Sequence, residues 1–173
     1  MTVRWILLGV SMTFSPLPAT AEVVQSSDAG FTVSQKLIVT APAARVWATL
    51  TQPSLWWDGA HTYSGDSNNL TLDLRPGGCW CEKTPTGGVE HMRVVNIAAP
   101  AVLRMTGALG PLQAMPVTAV MTVTLKAAGT GTEMTLTYAV AGTGLVPLAP
   151  AVDGVLGQQV ARLKKAVEAP AAR

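Results

Sequence analysis

The chain has 173 residues, enough for one hydrophobic core and short of the length at which chains usually divide into two. Its 12 Lys and Arg against 10 Asp and Glu leave a net charge of +2, scattered singly, so the basic footprint needed for nucleic acid or an anionic membrane is excluded. Charged residues are 13% of the sequence, about half the roughly 25% usual in soluble domains, so a large apolar interior or an apolar cavity must absorb a hydrophobic fraction of 49%.

The first residues read as a cleavable signal peptide. Arg4 supplies a basic start, Trp5 to Phe14 is an apolar run, Pro16 and Pro18 break it, and Ala19-Thr20-Ala21 gives the small-x-small pattern of a cleavage site after Ala21. The run is about half the length of a membrane span, and Thr, Gly or Pro interrupts every later apolar stretch. Residues 1–21 are therefore expected to be removed, leaving a periplasmic or secreted protein with no stable membrane insertion. Residues 22–31, with Ser26, Ser27, Asp28 and Gly30, are expected to form a loose, flexible leader.

Residues 33–40 are β-rich and predict a strand. Pro42 then starts a helix that runs to Leu50, with Thr40 as its expected cap and Val46, Trp47 and Leu50 on one face. Pro53 interrupts that helix before Leu55-Trp56-Trp57, giving a broken helical arm. From Tyr63 onward the pattern changes to short β segments at 70–74, 79–83, 89–97, 102–106, 117–125 and 133–140. Turns at Pro76-Gly77-Gly78, 85–88 and Gly129-Thr130-Gly131, and a longer connection at 107–116, separate them as an antiparallel meander. Finally, Val152, Val155, Leu156, Val160, Leu163 and Val167 recur at helical spacing, with Arg162, Lys164 and Lys165 near the end that favours cations. The tail at 169–173 is expected to be disordered.

These elements predict an α+β domain over 32–168: a curved antiparallel sheet of about six or seven strands wrapped around a long C-terminal helix, with a pocket between them. Val46-Trp47-Ala48-Thr49-Leu50-Thr51, Trp56-Trp57, Pro76-Gly77-Gly78, the strand from Gly131 to Leu136 and the terminal helix together resemble the helix-grip superfamily, known as START-related or SRPBCC. Within it the chain is most similar to the branch of heat-shock ATPase activator homologues and polyketide cyclase-like proteins. That resemblance implies a cavity for a small molecule between sheet and helix, with roles ranging from carriers and sensors to cyclases and no shared catalytic set. A co-chaperone activity on a cytosolic ATPase does not suit an exported chain.

Aromatic residues mark the expected binding site. Trp56, Trp57, His61 and Tyr63 form a cluster of large amphipathic rings suited to lining or gating an apolar cavity, or to ordinary core packing. His61 would orient a polar group of the ligand, act as a base, or serve as a structural hydrogen-bonding group. Leu109, Leu112 and Met115 make the 107–116 connection too apolar for a simple exposed loop, and it is expected to cap the pocket. The Asp153, Gly154 and Gly157 group opens the last helix, the glycines permitting close approach of ligand or sheet.

Cys79 and Cys81, the only cysteines, share one face of a strand by their i, i+2 spacing. Three states are open to them: small buried thiols, a disulfide close to the upper limit of bridging length and therefore redox-labile, or metal ligands. For the last, His91 would fold back opposite Cys81 if the hairpin register allows, and His61 would join them. Glu82 and Glu90 straddle the same hairpin, either facing each other as a catalytic pair or lying on its solvated face beside Lys83 or Arg93.

The reading that follows is an exported protein that binds a hydrophobic or aromatic small molecule between Trp56, Trp57, His61, Tyr63, Cys79, Cys81, His91 and the last helix. No Gly-rich nucleotide motif runs from a strand into a helix, so no cofactor is implied, and no metal is assigned. A cyclase- or hydrolase-type enzyme using a cavity histidine, and a Cys/His metal or redox protein, are the alternatives. Neither the particular ligand nor an oligomeric state is written in the sequence.

Overall fold

Alternation of apolar and polar residues sets the strands, and their partners set the curvature. In the computed structural model, which describes residues 20–170, the strands are β1 (Thr20–Ser27), β2 (Gly30–Val39), β3 (Leu70–Leu72), β4 (Cys79–Thr84), β5 (Gly87–Ala98), β6 (Val102–Thr106), β7 (Thr118–Ala128) and β8 (Gly131–Ala141). Two helices accompany them, α1 (Ala43–Leu50) and α2 (Ala149–Glu168). All eight strands join one antiparallel sheet in the order β1-β2-β8-β7-β6-β5-β4-β3. This is the α+β helix-grip arrangement, with one strand more than the upper expectation.

The additional strand is β1, and it corrects the reading of 22–31 as a loose leader. Val23 lies opposite Val33 and packs on the core, giving this polar segment an apolar reason to pair, and Asp28-Ala29 closes a tight hairpin into β2. Residues 1–19, which hold most of the signal-peptide reading, lie outside the described residues.

One face of the sheet is predominantly apolar. Met121, Val123 and Leu125 of β7 and Met134, Leu136 and Tyr138 of β8 are buried, while Thr122 opposes Thr137 and Thr124 opposes Thr135 on the other side. Such one-sided burial needs a cover, and α2 provides it with Leu156, Val160, Leu163 and Val167. Gly157 permits the approach: a Cβ there would stand 3.3 Å from the Gln35 side chain of β2, and Gln35 Nε2 donates to the Asp153 carboxylate at 2.5 Å. Burial pushes the Asp153 carboxyl up, and the bond from Gln35 only partly offsets it. Gly154 has open space around its Cβ position.

The start of α1 and the end of α2 depart from expectation. Thr40 does not cap α1, which begins after Pro42 without a side-chain cap; the Thr40 N–H instead donates to Glu168 Oε1 at 2.7 Å in the last turn of α2. Arg45 donates to the Ala169 carbonyl, so the segment expected to be disordered from 169 is anchored at its first residue, and 171–173 lie outside the described residues. No helix among the described residues is long and apolar enough to cross a membrane.

Candidate ligand cavity

The space between sheet and helix is divided in two. Trp56, Trp57 and Trp80 fill one end as a wedge, Trp57 meeting Trp80 edge-on at 4.9 Å and Trp56 meeting Trp57 edge-on at 5.4 Å. All three are buried, and the gap left beside them, against Leu50, Leu103, Met121 and Leu136, is about 10 Å³, too small for more than one water molecule. Two of the indoles are fixed by their polar ends: Trp56 Nε1 donates to the Leu50 carbonyl at 3.2 Å and Trp57 Nε1 to the His61 carbonyl at 3.1 Å. Trp80 Nε1 has no hydrogen-bond partner among the described residues.

Beyond the wedge lies a cavity of about 510 Å³, within the range of small-molecule sites. One wall is the first half of α2 with its approach, Leu148, Ala151, Val152, Val155 and Leu156. A second wall is the end of the broken arm, Trp57 and Ala60 to Tyr63, and a third is the 109–112 segment. From the sheet only Tyr138 contributes to the lining. The arm is held on α2 by Asp58 N–H donating to Gln159 Oε1 at 2.8 Å and by Arg162, whose Nε donates to the Trp56 carbonyl at 3.1 Å.

The loop wall is hung from Tyr138. Its buried hydroxyl accepts from Leu109 N–H at 3.1 Å and donates to the Gly107 carbonyl at 3.3 Å. Burial raises its pKa to about 12, against a partial lowering by the Leu109 bond, so the group stays protonated and structural. Gly107 is required where the loop leaves β6: its φ is +143°, and a Cβ would lie 2.5 Å from the His91 carbonyl. At the mouth, Tyr63 Oη donates to the Gly110 carbonyl at 2.9 Å, joining the two loops.

Behind Tyr63 sits a buried ionisable pair that the strand pattern alone does not give. Glu82 and His91 are 1% and 5% exposed, and Glu82 Oε2 lies 2.9 Å from His91 Nε2. The Glu82 carboxylate also accepts from the N–H of Tyr63 at 3.0 Å and from the N–H of Ser64. Burial pushes its pKa up, but the hydrogen bonds from Ser64, Tyr63 and His91 outweigh that and hold it below the ordinary carboxylate value. The pair thus fixes the loop at the cavity mouth.

A bulge brings the pair together. Trp80 opposes Met92 and Cys81 opposes Glu90, so His91 is an extra residue in β5 and turns inward beside Met92. The register places Glu82 opposite Val89, so Glu82 and Glu90 lie on opposite faces and are not a facing pair. Glu90 is exposed and bonded to Arg93.

The sequence-predicted residues therefore separate. Trp57, His61 and Tyr63 line the cavity, and the His61 imidazole makes no hydrogen bond to any described residue. Trp56 belongs to the filled end, and His91 lies behind the mouth, bonded to Glu82 rather than lining the cavity. Cys79 and Cys81 sit on the outer face of β4, since the alternate residues Trp80 and Glu82 are the inward ones. They form a disulfide with Cα atoms 5.3 Å apart, which leaves no thiol for a metal, and no group of three or more His, Cys, Asp or Glu side chains gathers among the described residues. The expected stretch to the bridging limit does not arise, because β4 contracts locally. Leu109 and Leu112 line the cavity as expected of a cap, whereas Met115 packs on the core. Tyr138 and Val152 had visible signals, a period-2 strand and a helical stripe, but neither says which members of a buried face meet space.

A sheet that grips one long helix, with a side cavity under that helix, is the SRPBCC helix-grip architecture. The family described as polyketide cyclase / dehydrase and lipid transport matches residues 30–168, and the chain belongs to it. Among solved structures, an uncharacterised protein from Rhizobium leguminosarum superposes with a TM-score of 0.60 at 20% identity, over 88% of this chain and 99% of that one. A protein from Nitrosomonas europaea gives 0.58 at 20% identity over 79% and 94%, and one from Mycobacterium smegmatis 0.58 at 18% over 90% and 99%. At these identities the likeness establishes the fold. No curated protein matches the chain.

Proposed function

We propose that the protein is an exported carrier or sensor that holds one hydrophobic or aromatic small molecule in the cavity under the first half of α2. The observation that carries this reading is the chemistry of the lining: about 510 Å³ walled by Leu, Val, Ala, Pro and aromatic side chains, with the Tyr138 hydroxyl already hydrogen-bonded. Binding there is driven by apolar burial. The enzyme alternative is less well supported, because Glu82 and His91 are bound to each other and to the loop backbone, and His61 stands in the cavity wall without a carboxylate bonded to it. Export is supported by Arg4, the apolar run and Ala19-Thr20-Ala21, and by a disulfide that suits an oxidising compartment. Cleavage after Ala21 would leave Glu22, opposite Ser34 in β1, as the first residue.

Titration with the uncharged fluorophore N-phenyl-1-naphthylamine tests the cavity. The wild-type protein should bind one equivalent with a blue-shifted emission, and Val155→Trp, which fills the space from α2, should lose at least about tenfold in affinity. Equal binding by both would place the probe elsewhere and overturn the reading. His61→Ala should keep most of the affinity for this neutral probe. Intact mass after secretion into a periplasm, beginning at Glu22, checks the export half.

A further inference from the structure

We propose that Cys79–Cys81 is a thiol–disulfide exchange site on the outer face of the sheet whose redox state is felt at the cavity mouth. The second half of this proposal rests on the ligand-binding reading, and the first does not.

Three observations make the bridge exchangeable without loss of the fold. Both cysteines are half-buried on the face that carries the polar side chains, so an incoming thiol can reach a sulfur without entering the core. The residues that anchor β4, Trp80 and Glu82, point the other way, so opening the bridge brings neither of them to the surface. The bridge links residues only two apart, and so short a loop constrains the unfolded chain least, so the fold does not depend on it as it would on a long cross-link.

Exchange is a two-electron reaction with a dithiol as co-reactant. A thiolate of the dithiol attacks one sulfur, forms a mixed disulfide and expels the other cysteine as a thiolate, which takes up a proton. The second thiol of the reductant then displaces the remaining cysteine and leaves as the oxidised, cyclic disulfide. Two cysteine thiols result, and the chain has gained two electrons and two protons.

The route to the mouth runs through one contraction. Two residues of extended strand span about 6.7 Å, whereas the bridged pair spans 5.3 Å, so the disulfide shortens β4 across Trp80. The β5 bulge lies opposite that point, and its unpaired residue is His91, which faces inward to meet Glu82. Glu82 in turn holds the N–H groups of Tyr63 and Ser64, and Tyr63 lines the cavity. When β4 extends on reduction, the cross-strand register at His91 is the element that must respond, and the mouth loop loses its fixed anchor.

The test follows thiols, fold and binding on the purified protein with and without millimolar dithiothreitol under native conditions. Alkylation and intact mass should show both cysteines reduced, the circular dichroism should stay native, and the dissociation constant for N-phenyl-1-naphthylamine should weaken by about fivefold or more, with the double variant Cys79→Ser, Cys81→Ser behaving like the reduced form. A bridge that resists until the protein unfolds overturns the exchange site. A reduced protein that binds the probe as tightly as the oxidised one overturns the coupling. Should the oxidised form bind no probe, the cavity reading and the coupling fall together, while the alkylation result still decides the exchange site.

Discussion

Along α2, Val160, Leu163 and Val167 are at most 2% exposed, whereas Val152 and Val155, on the same apolar stripe one to four turns earlier, face a cavity of about 510 Å³. The residues do not differ in kind; what opposes them does. The closed half of the domain's interior is filled by three indoles that reach inward from the arm and from β4. At the open half the facing elements are loops, and each is held in place by backbone hydrogen bonds, to Tyr138 on one side and to Glu82 on the other. Space in this fold is thus kept by anchoring the backbone of the walls rather than by shortening the side chains of the helix.

The largest expected effect breaks the closed half. Trp80→Ala should cost about 3–5 kcal/mol, because a large buried ring leaves a cavity that its neighbours cannot collapse into. Val155→Ala, which removes atoms that face space, should cost under about 1 kcal/mol. Urea titration of both variants measures the contrast, and similar losses would mean that the two halves are packed alike. Trp80→Phe sharpens the point: the indole N–H has no partner among the described residues, so only size is lost and most of the stability should remain.

Next in size is the anchor of the mouth. Glu82→Ala should cost about 3 kcal/mol, since it strands the buried His91 ring and two backbone N–H groups. The sign of the pH dependence follows from the depressed carboxyl. The native state gives up the Glu82 proton more readily than the unfolded chain, so its contribution is fully present above the ordinary value of 4.5 and is lost as the pH falls through the lower native value. Glu82→Gln should therefore flatten the loss of stability below about pH 4.5, seen in urea titrations on either side of that value. An acid limb identical to that of the wild type would show that Glu82 ionises alike in both states.

Much of the architecture was legible because hydrophobic period is a local property. The strands from 70 to 141, the break at Pro53 and the terminal helix need only their own residues, and all three stand in the structure. β1 was not legible because one valine pair and a two-residue turn decide it, against a polar background. The site was legible in part: an aromatic-rich arm pointed to Trp57, His61 and Tyr63, but the assignment of Cys79, Cys81 and His91 to the same wall assumed an unbroken hairpin. Cys79 and Cys81 alternate outward because Trp80 and Glu82 take the inward positions of β4, and the unpaired residue at His91 shifts the β5 register, which no composition rule locates. The Glu82–His91 pair depends on the hairpin register and was hidden with it.

The open half can be loosened without emptying the core. Tyr138→Phe keeps the ring and removes the hydroxyl, leaving Leu109 N–H and the Gly107 carbonyl without their partner, for a loss of about 1–2 kcal/mol. Hydrogen exchange should then quicken in residues 107–116 and stay unchanged in β7 and β8. Faster exchange across the whole sheet would instead make Tyr138 a core residue like Leu136, with no special tie to the wall.

The smallest effect is at the mouth. Tyr63 is 54% exposed, and its hydroxyl donates to the Gly110 carbonyl at 2.9 Å, so Tyr63→Phe removes one solvent-competed bond worth under about 1 kcal/mol. Stability should barely move. Binding kinetics should move more, because this bond links the two loops that a ligand must part in order to leave. The dissociation rate of N-phenyl-1-naphthylamine, followed by stopped-flow displacement, should rise about two- to fivefold, the factor set by a bond of that size. An unchanged rate would mean that the ligand passes by another route, and the gap between α2 and the arm at Ala60 would be the next place to close.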